Sequence, residues 1–399
     1  MIKGSNIVLG VSGSIACYKA VDLASKLVQE GANVFVIMTS GAQEFVAPLT
    51  FQSITHSPVT TSLYDTNSEL AIKHVSLAEK ADLIIIAPAT ANVLAKAALG
   101  ISDDALTATL LASKAPLIFA PAMDGDMWIN HATQSNALEL KNRGALIIGP
   151  EAGRLASGQI GTGRFAETQS IVGAIKAVLG RSGDLKGKRI VVSAGGTQES
   201  IDPVRILTNR STGKMGYAVA EAARDRGASV TLVAGPTALA DPYGITVNHV
   251  TTVDEMRNEI RTACAKCDAL IMAAAVGDYK IMSPAKQKIK RGEGGLSLKL
   301  TPTDDIIGEL KDDFIKVGIA AQTQSLLENA RKKLASKKLD IVVANDITEA
   351  GSGFGTDTNQ VTMLSRNGKP QKLPLLTKYE VGHKILDGLI PLLKNRKAK

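Results

Sequence analysis

At 399 residues, 45% hydrophobic and 21% charged, the chain has room for two or three separately cored domains, two being the simplest count. No apolar run reaches the ~20 residues of a bilayer span. Aromatic residues are only 4% and do not alternate with basic ones as a base-stacking surface requires, which sets aside membrane and nucleic-acid classes. The net charge of +8 sits wholly in the second half: residues 1–182 hold 13 Lys+Arg against 14 Asp+Glu, and residues 183–399 hold 33 against 24. The second half is therefore expected to handle the more anionic ligand. Three cysteines make no disulfide framework, and Cys264 and Cys267 are expected inside one helical pattern, MRNEIRTACAKCDALIM. Lys19, Asp22 and Lys26 interrupt what would otherwise look like a signal peptide, so a cytoplasmic protein is expected.

In chain order, NIVLGVSGSIACYKAVDLASKLVQEGANVFVIMTS reads as strand, Gly-rich turn, amphipathic helix and strand. DLIIIAPA, APLIFAPA and ALIIGP continue this half as buried strands. The polar segment 179–189, LGRSGDLKGKR, marks a boundary, giving domains 1–182 and 183–399. The second half opens the same way, with KRIVVSAGGTQE, the stretch NRSTGKMGYAVAEAARDRG and GASVTLVAGP, followed by DALIMAAA, FIKVGIAA and DIVVAND. Alternating β and α elements predict two α/β domains of Rossmann-like, three-layer type with mainly parallel sheets, whose ligands lie at the carboxyl ends of the strands.

Those strand ends carry the candidate chemistry. In the first half they are GVSGS, MTS, APATAN and APAMDGDMW, the first three presenting Gly13, Ser14, Thr39, Ser40, Thr90 and Asn92, small or polar groups that allow close approach to a phosphate and a flat ring. The dinucleotide fingerprint G-x-G-x-x-G is absent, so a mononucleotide is favoured over NAD. His74 falls near the start of a short helix leading into DLIIIAPATAN, where the positive helix end favours a neutral imidazole able to act as a base; a packed helix histidine is the alternative. In the second half, Lys214 lies between two glycines before a helix. The Walker pattern fails because Thr208 stands where its first glycine should be and Met215 follows the lysine. A helix N-terminal anion site formed by Ser211, Thr212 and Gly213 survives, beside the alternative of an ordinary cap. Asp278 at a strand end precedes Lys286, Lys288, Lys290 and Arg291 in a Gly-containing loop, a combination that suits a nucleoside triphosphate.

The motifs GVSGSIACYK, the histidine before LAEKADLIIIAPATAN, PAM near MW, GPEAGRLASGQIGTGR, GGTQESIDPVRILTNRSTGKMG, AAAVGDY, KIKR, VGIAAQT and LDIVVAND are together similar to the bifunctional coenzyme A biosynthesis flavoproteins, in which phosphopantothenoylcysteine decarboxylase is fused to phosphopantothenate–cysteine ligase. The resemblance covers nearly the whole chain. It implies a flavodoxin-like FMN domain followed by a CTP-binding ligase domain, with FMN and Mg2+ as cofactors and 4'-phosphopantothenate, cysteine and CTP as reactants. It also implies a homo-oligomer combining a trimer-based FMN domain with a dimeric ligase domain, a dodecamer being one such assembly. By motif matching, Asn209 faces the acyl-cytidylate and Lys288 belongs to a flap over the phosphates. Met272, Ala273, Ala274, Asp278, Asp304, Asp305, Ile306, Ile307 and Ile319 surround the nucleotide, and Lys333 and Lys337 complete the phosphate site. Mg2+ is expected to arrive with CTP, its protein ligands unassigned. Position 319 is often Phe in the family.

In the first half the resemblance makes His74 the residue that assists oxidation of the substrate's cysteine side chain to a thioaldehyde, which gives the departing carboxylate's electrons a sulfur sink. Two departures stand out: PAMD has Asp124 where the family pattern has Asn, and ASG has Ser157 where it has Cys. They leave two readings open, a variant site in which Asp124 donates the proton with Ser157 as relay, or a ligase with an inactive flavin-binding half. A non-catalytic regulatory flavoprotein is a third, opposed by the complete ligase half and the lack of an acidic tail.

Overall fold

A computed structural model describes residues 2–64, 73–291, 295–310, 313–322, 325–346, 351–353, 355–366 and 368–397. Gly292 and Gly294 of the basic loop, Thr323 of VGIAAQT and the last two residues of the basic tail lie outside the described residues. The chain divides into two compact units, Met1–Leu179 and Gly180–Lys399.

In the first unit the strands are β1 (Asn6–Val11), β2 (Asn33–Met38), β3 (Leu83–Ala89), β4 (Leu117–Pro121) and β5 (Leu146–Ile147). They form one parallel sheet in the order β2-β1-β3-β4-β5, the flavodoxin order, with its topological switch between β1 and β3. All seven residues of β3 are buried, as the unbroken apolar run requires of a central strand covered on both faces. The core joins Val8, Ile84, Ile86 and Phe119 to Leu94 and Leu106 of the flanking helices, each fully buried large side chain contributing about 1.5–3 kcal/mol. After β5 the chain forms an antiparallel hairpin, β6 (Glu151–Arg154) and β7 (Ile160–Arg164).

The second unit begins with β8 (Arg189–Ala194), then a small antiparallel pair, β9 (Gln198–Ser200) and β10 (Ile206–Thr208). Next come β11 (Ser229–Ala234), β12 (Thr246–His249), β13 (Ala269–Met272), the antiparallel pair β14 (Tyr279–Ile281) and β15 (Leu300–Pro302), then β16 (Ile315–Gln322) and β17 (Ile341–Asp346). After β18 (Thr358–Asn359) come β19 (Val361–Ser365) and β20 (Gln371–Lys372). The main sheet runs β12-β11-β8-β13-β16-β17-β19-β20. Its first six strands are parallel and follow the Rossmann order, and β19 and β20 extend it antiparallel. The switch point lies between β8 and β13.

The helix Lys214–Asp225 packs its alanine-rich face on the sheet and on the C-terminal helix Lys378–Lys397, where Gly382 lets the backbones approach: a Cβ there would lie 3.2 Å from Ala218 O. Tyr379 Oη donates to the buried Asp225 carboxylate at 2.7 Å, which fixes the start of the last helix. One expectation is corrected here: the helix Val253–Cys264 ends before Cys267, while the run DALIMAAA supplies strand β13 as expected. A long amphipathic pattern ran into a buried strand, and apolar residues alone did not mark the join. Among the described residues the cysteines are free thiols and no helix is long and apolar enough to cross a membrane.

Candidate active sites

In the second unit a cleft of about 690 Å³ opens at the carboxyl ends of the parallel strands. Met272, Ala273 and Ala274 enter it directly from β13, Asp278 from the turn beyond, and Ile319 from β16. Asp304, Asp305, Ile306 and Ile307 line it from the start of a short helical turn that Asp305 caps through Gly308 N at 3.3 Å. Lys333 and Lys337 enter from the helix Leu326–Ser336 and its end, and Lys337 Nζ lies 3.1 Å from Asp305 Oδ1. Desolvation, reinforced by the neighbouring Lys337 and opposed by Asp278, holds the Lys333 ammonium below the usual lysine range.

Asn209, at the end of β10, is oriented by its own amide: Nδ2 donates to Ala275 O at 3.3 Å and Val276 O at 3.1 Å. Residues 209–213 lead into the helix Lys214–Asp225, whose N-cap Gly213 has φ +78° and no side-chain cap bond. A glycine suits that left-handed position, and the bare first turn is a favourable place for an anion. Lys288 is the exception among the expected residues: it is exposed and does not line this cleft. It stands on the segment 285–289.

Lining residues missed as site candidates include Lys214, Asn345, Asn359 and Lys378. Lys214 pairs with Asp357 at 2.7 Å, and the buried Lys378 donates to Gly353 O at 3.0 Å and to Thr356 O. Asn345 and Asn359 are buried with their Oδ1 atoms unpartnered among the described residues. Lys214 and Asn345 sat inside motifs already singled out. Asn359 and Lys378 reach the cleft only through the fold and carry no local signal.

In the first unit, Gly13 and Ser14 follow β1, Thr39 and Ser40 follow β2, and Thr90 and Asn92 follow β3, so all six share the carboxyl edge of the sheet. A Cβ on Gly13 would lie 2.8 Å from the Gly41 carbonyl carbon, so two turns pass in backbone contact there. The buried Ser12 hydroxyl donates to Pro88 O at 2.8 Å and accepts from Thr90 N at 3.0 Å, tying the β1 and β3 ends together. Ser14 Oγ donates to Ala122 O at 3.2 Å, while Thr39 and Thr90 cap the helical segments that follow them. Among the described residues the edge at β1, β2 and β3 thus offers hydroxyls, an amide and main-chain groups, a donor set that fits a phosphate and a flat ring. His74 is half-buried in the first turn of the helix Lys73–Lys80, ahead of β3.

The two residues that depart from the family pattern meet. Ser157 Oγ, in the turn of the β6–β7 hairpin, donates to Asp124 Oδ2 at 3.0 Å, and Asp124 Oδ1 caps the next helical turn through Asp126 N at 3.1 Å. The hairpin is held against that loop by Met123 N to Gly163 O at 3.0 Å.

Residues 1–180 match the Flavoprotein family, and residues 185–392 match the DNA/pantothenate metabolism flavoprotein C-terminal domain. The coenzyme A biosynthesis bifunctional protein CoaBC of Bacillus subtilis is 45% identical over 99% of this chain and 98% of its own. The Vibrio cholerae protein of the same name is 41% identical over 94% of this chain and 96% of its own. A solved C-terminal domain of such a protein matches 54% of this chain and 100% of its own at 40% identity, with a TM-score of 0.47.

The chain belongs to the family of coenzyme A biosynthesis bifunctional proteins. It is a bifunctional flavoprotein enzyme of that biosynthesis, joining a decarboxylase and a phosphopantothenate–cysteine ligase activity.

Proposed function

We propose that residues 1–182 form an FMN-dependent phosphopantothenoylcysteine decarboxylase and residues 183–399 a CTP-dependent phosphopantothenate–cysteine ligase. The observation that most supports the ligase reading is the single cleft that gathers Asn209 with Met272, Asp278, Asp305, Ile319, Lys333 and Lys337 at the carboxyl edge of a Rossmann-ordered sheet.

In that cleft the phosphopantothenate carboxylate attacks the α-phosphorus of CTP, and pyrophosphate leaves. The cysteine amine then attacks the acyl carbon of the acyl-cytidylate, and CMP leaves. Asn209 faces the acyl-phosphate linkage from its fixed place on the 275–276 carbonyls. Met272 to Ala274, Asp278, Asp304 to Ile307 and Ile319 surround the nucleoside, the aliphatic Ile319 offering area without an aromatic face. Lys333 and Lys337 hold phosphate oxygens, and Lys288 neutralises the charge that grows on the departing pyrophosphate. Among the described residues no three His, Cys, Asp or Glu converge as a metal cage, and Mg2+ is assigned to the nucleotide phosphates.

In the first half, Gly13, Ser14, Thr39, Ser40, Thr90 and Asn92 hold FMN, which supplies the two-electron chemistry that makes sulfur an acceptor for the electrons left by carbon dioxide. His74 takes a proton in the first step. Asp124 binds the substrate carboxylate and afterwards supplies a proton to carbon, and the Ser157 hydroxyl, hydrogen-bonded to it, relays protons from the hairpin side.

The assembly proposed is a homo-oligomer, trimeric through the FMN half and dimeric through the ligase half, as a dodecamer would be. Exposed Ile15, Tyr18, Phe45 and Leu49 in one unit and Val204, Ile206, Met282 and Leu300 in the other support apolar interfaces. The same reading places the protein in the cytoplasm.

Pure protein incubated with phosphopantothenate, cysteine, CTP and Mg2+ is expected to yield phosphopantothenoylcysteine and then phosphopantetheine by mass, and to release FMN on denaturation. Absence of the ligated product would overturn the ligase assignment. A protein that stays colourless after FMN is added would overturn the flavin assignment.

A further inference from the structure

Lys288, which the proposed ligation needs near the phosphates, is exposed and outside the cleft lining, so other groups must aim it. The residue lies in an arch whose middle, Lys286 to Lys288, is exposed and whose two ends meet the turn between β9 and β10. At one end Ala285 N donates to Ile201 O at 3.0 Å. At the other, Ile289 is held on both main-chain groups: its N–H donates to Asp202 Oδ2 at 3.1 Å, and its carbonyl accepts from Arg205 Nη1 at 3.1 Å.

Asp202 is only 2% exposed, unusual for a turn aspartate, which is normally solvated. Its two oxygens have separate partners. Oδ1 accepts from Val204 N and Arg205 N, both at 2.8 Å, which closes the turn itself. Oδ2 accepts from Arg205 Nη1 at 2.7 Å and from Ile289 N. A turn needs the first oxygen alone; the second reaches across 87 residues of chain to the arch. Desolvation would raise this carboxyl, but the main-chain donors of Val204, Ile289 and Arg205 and the Arg205 charge outweigh it and hold it at about 2, so it stays an acceptor at working pH. The same hairpin ends at Asn209, which is bound to the 275–276 carbonyls.

We infer that Asp202 is a positioning residue for ligation: with Arg205 it fastens the arch to the β9–β10 hairpin and so sets Lys288 in register with Asn209. The inference rests on the proposed role of Lys288. A purely local turn role is the competing account, and the two oxygens let it be tested separately. In Asp202→Asn, Oδ1 can go on closing the turn while an amide nitrogen, itself a donor, faces the Ile289 and Arg205 donors.

Two measurements on the full-length FMN-loaded enzyme decide it. Trypsin, which cuts after Lys286, Lys288 and Lys290, is expected to open the arch of Asp202→Asn about tenfold faster than that of wild type, as a locally loosened segment allows. The kcat of ligation should fall about 10- to 100-fold, as for a misplaced catalytic group, with KM for CTP and decarboxylation of supplied phosphopantothenoylcysteine unchanged. Adding Asp202→Asn to Lys288→Gln should cost no further rate. Should Asp202→Asn fold poorly, Arg205→Lys serves instead: it keeps a charge near Asp202 but lacks the fork to the Ile289 carbonyl, and it should move both readouts the same way. An unchanged cleavage rate, or losses that multiply in the double variant, would overturn the inference. Full ligation by Lys288→Gln alone would instead remove the Lys288 assignment, leaving trypsin to report on the fastening.

Discussion

Each unit extends an arm from its sheet edge, and the two arms are secured in different ways. The β6–β7 hairpin of the first unit is strand-paired and seated on the 123–124 loop by main chain: a Cβ on Gly163 would lie 2.2 Å from Met123 O. Its Ser157–Asp124 bond is the last contact of an already fixed frame. The arch at 285–289 of the second unit has no strand pairing of its own; a single main-chain bond, Ala285 N to Ile201 O, holds one end, and one buried carboxylate and one arginine hold the other. Under the proposed roles this difference makes chemical sense. A proton path needs fixed donor and acceptor distances, whereas a lysine that follows a departing pyrophosphate needs fixed ends and a free centre.

The sharpest way to break the comparison is Asp124→Asn. Asparagine caps helices as well as aspartate, so the turn at Asp126 should survive while the proton source is lost. Decarboxylation is expected to fall about 10²- to 10⁴-fold, the usual range for a general acid, with an oxidised enethiol product accumulating by mass and the yellow colour bleaching. Adding Ser157→Cys should restore turnover by supplying a thiol acid. If Asp124→Asn makes fully reduced product at the wild-type rate, Asp124 is not the acid. A wild type that itself stops at the enethiol would mark the first half as impaired.

Next in size is Gly163→Ala. Its methyl has no room beneath the Met123 carbonyl, and overpacking of this kind costs typically about 1–3 kcal/mol. The hairpin should lift, with decarboxylation lost, the thermal transition of the first half lowered, and ligation intact. An alanine variant with normal decarboxylation would mean that main-chain seating does not hold the hairpin in its working position.

Much of this frame could be read before any coordinates. The runs NIVLGV, LIIIAPA, RIVVSA and IVVAND are β1, β3, β8 and β17, because a strand buried on both faces leaves an uninterrupted apolar signature. The αβ repeat carried the parallel order with it. Short, half-exposed strands left no such mark: β9, β10, β14 and β15 run over three residues each, too few for a period to show. ASG and PAMD were visible as oddities 33 positions apart, but their hydrogen bond depends on how the hairpin folds back. Asp202 was least legible, since SIDPVR is the ordinary composition of a turn and its second oxygen acts on a distant segment.

The smallest expected effect concerns charge, in which the two sites also differ: the first edge offers hydroxyls and main chain, whereas the ligase cleft brings in ammonium groups, Lys333 and Lys337 among them, beside Asp278, Asp304 and Asp305. Lys333 is held below the ordinary lysine value first by desolvation and then by Lys337, with Asp278 pulling the other way. For a lysine depressed in the folded state, the unfolded chain binds more protons between the two values, so folding stability rises with pH across that window. Binding of a triphosphate reverses the local balance, because its anion favours the protonated ammonium. KM for CTP should therefore begin to climb on the alkaline side at a pH below that of an ordinary lysine, while kcat at saturating CTP changes less. Lys333→Arg keeps its charge throughout this range, so its KM should stay flat to higher pH, and Lys333→Met should start with a raised KM and lose this early rise. Identical KM profiles for wild type and Lys333→Arg would show that Lys333 does not sense the phosphates.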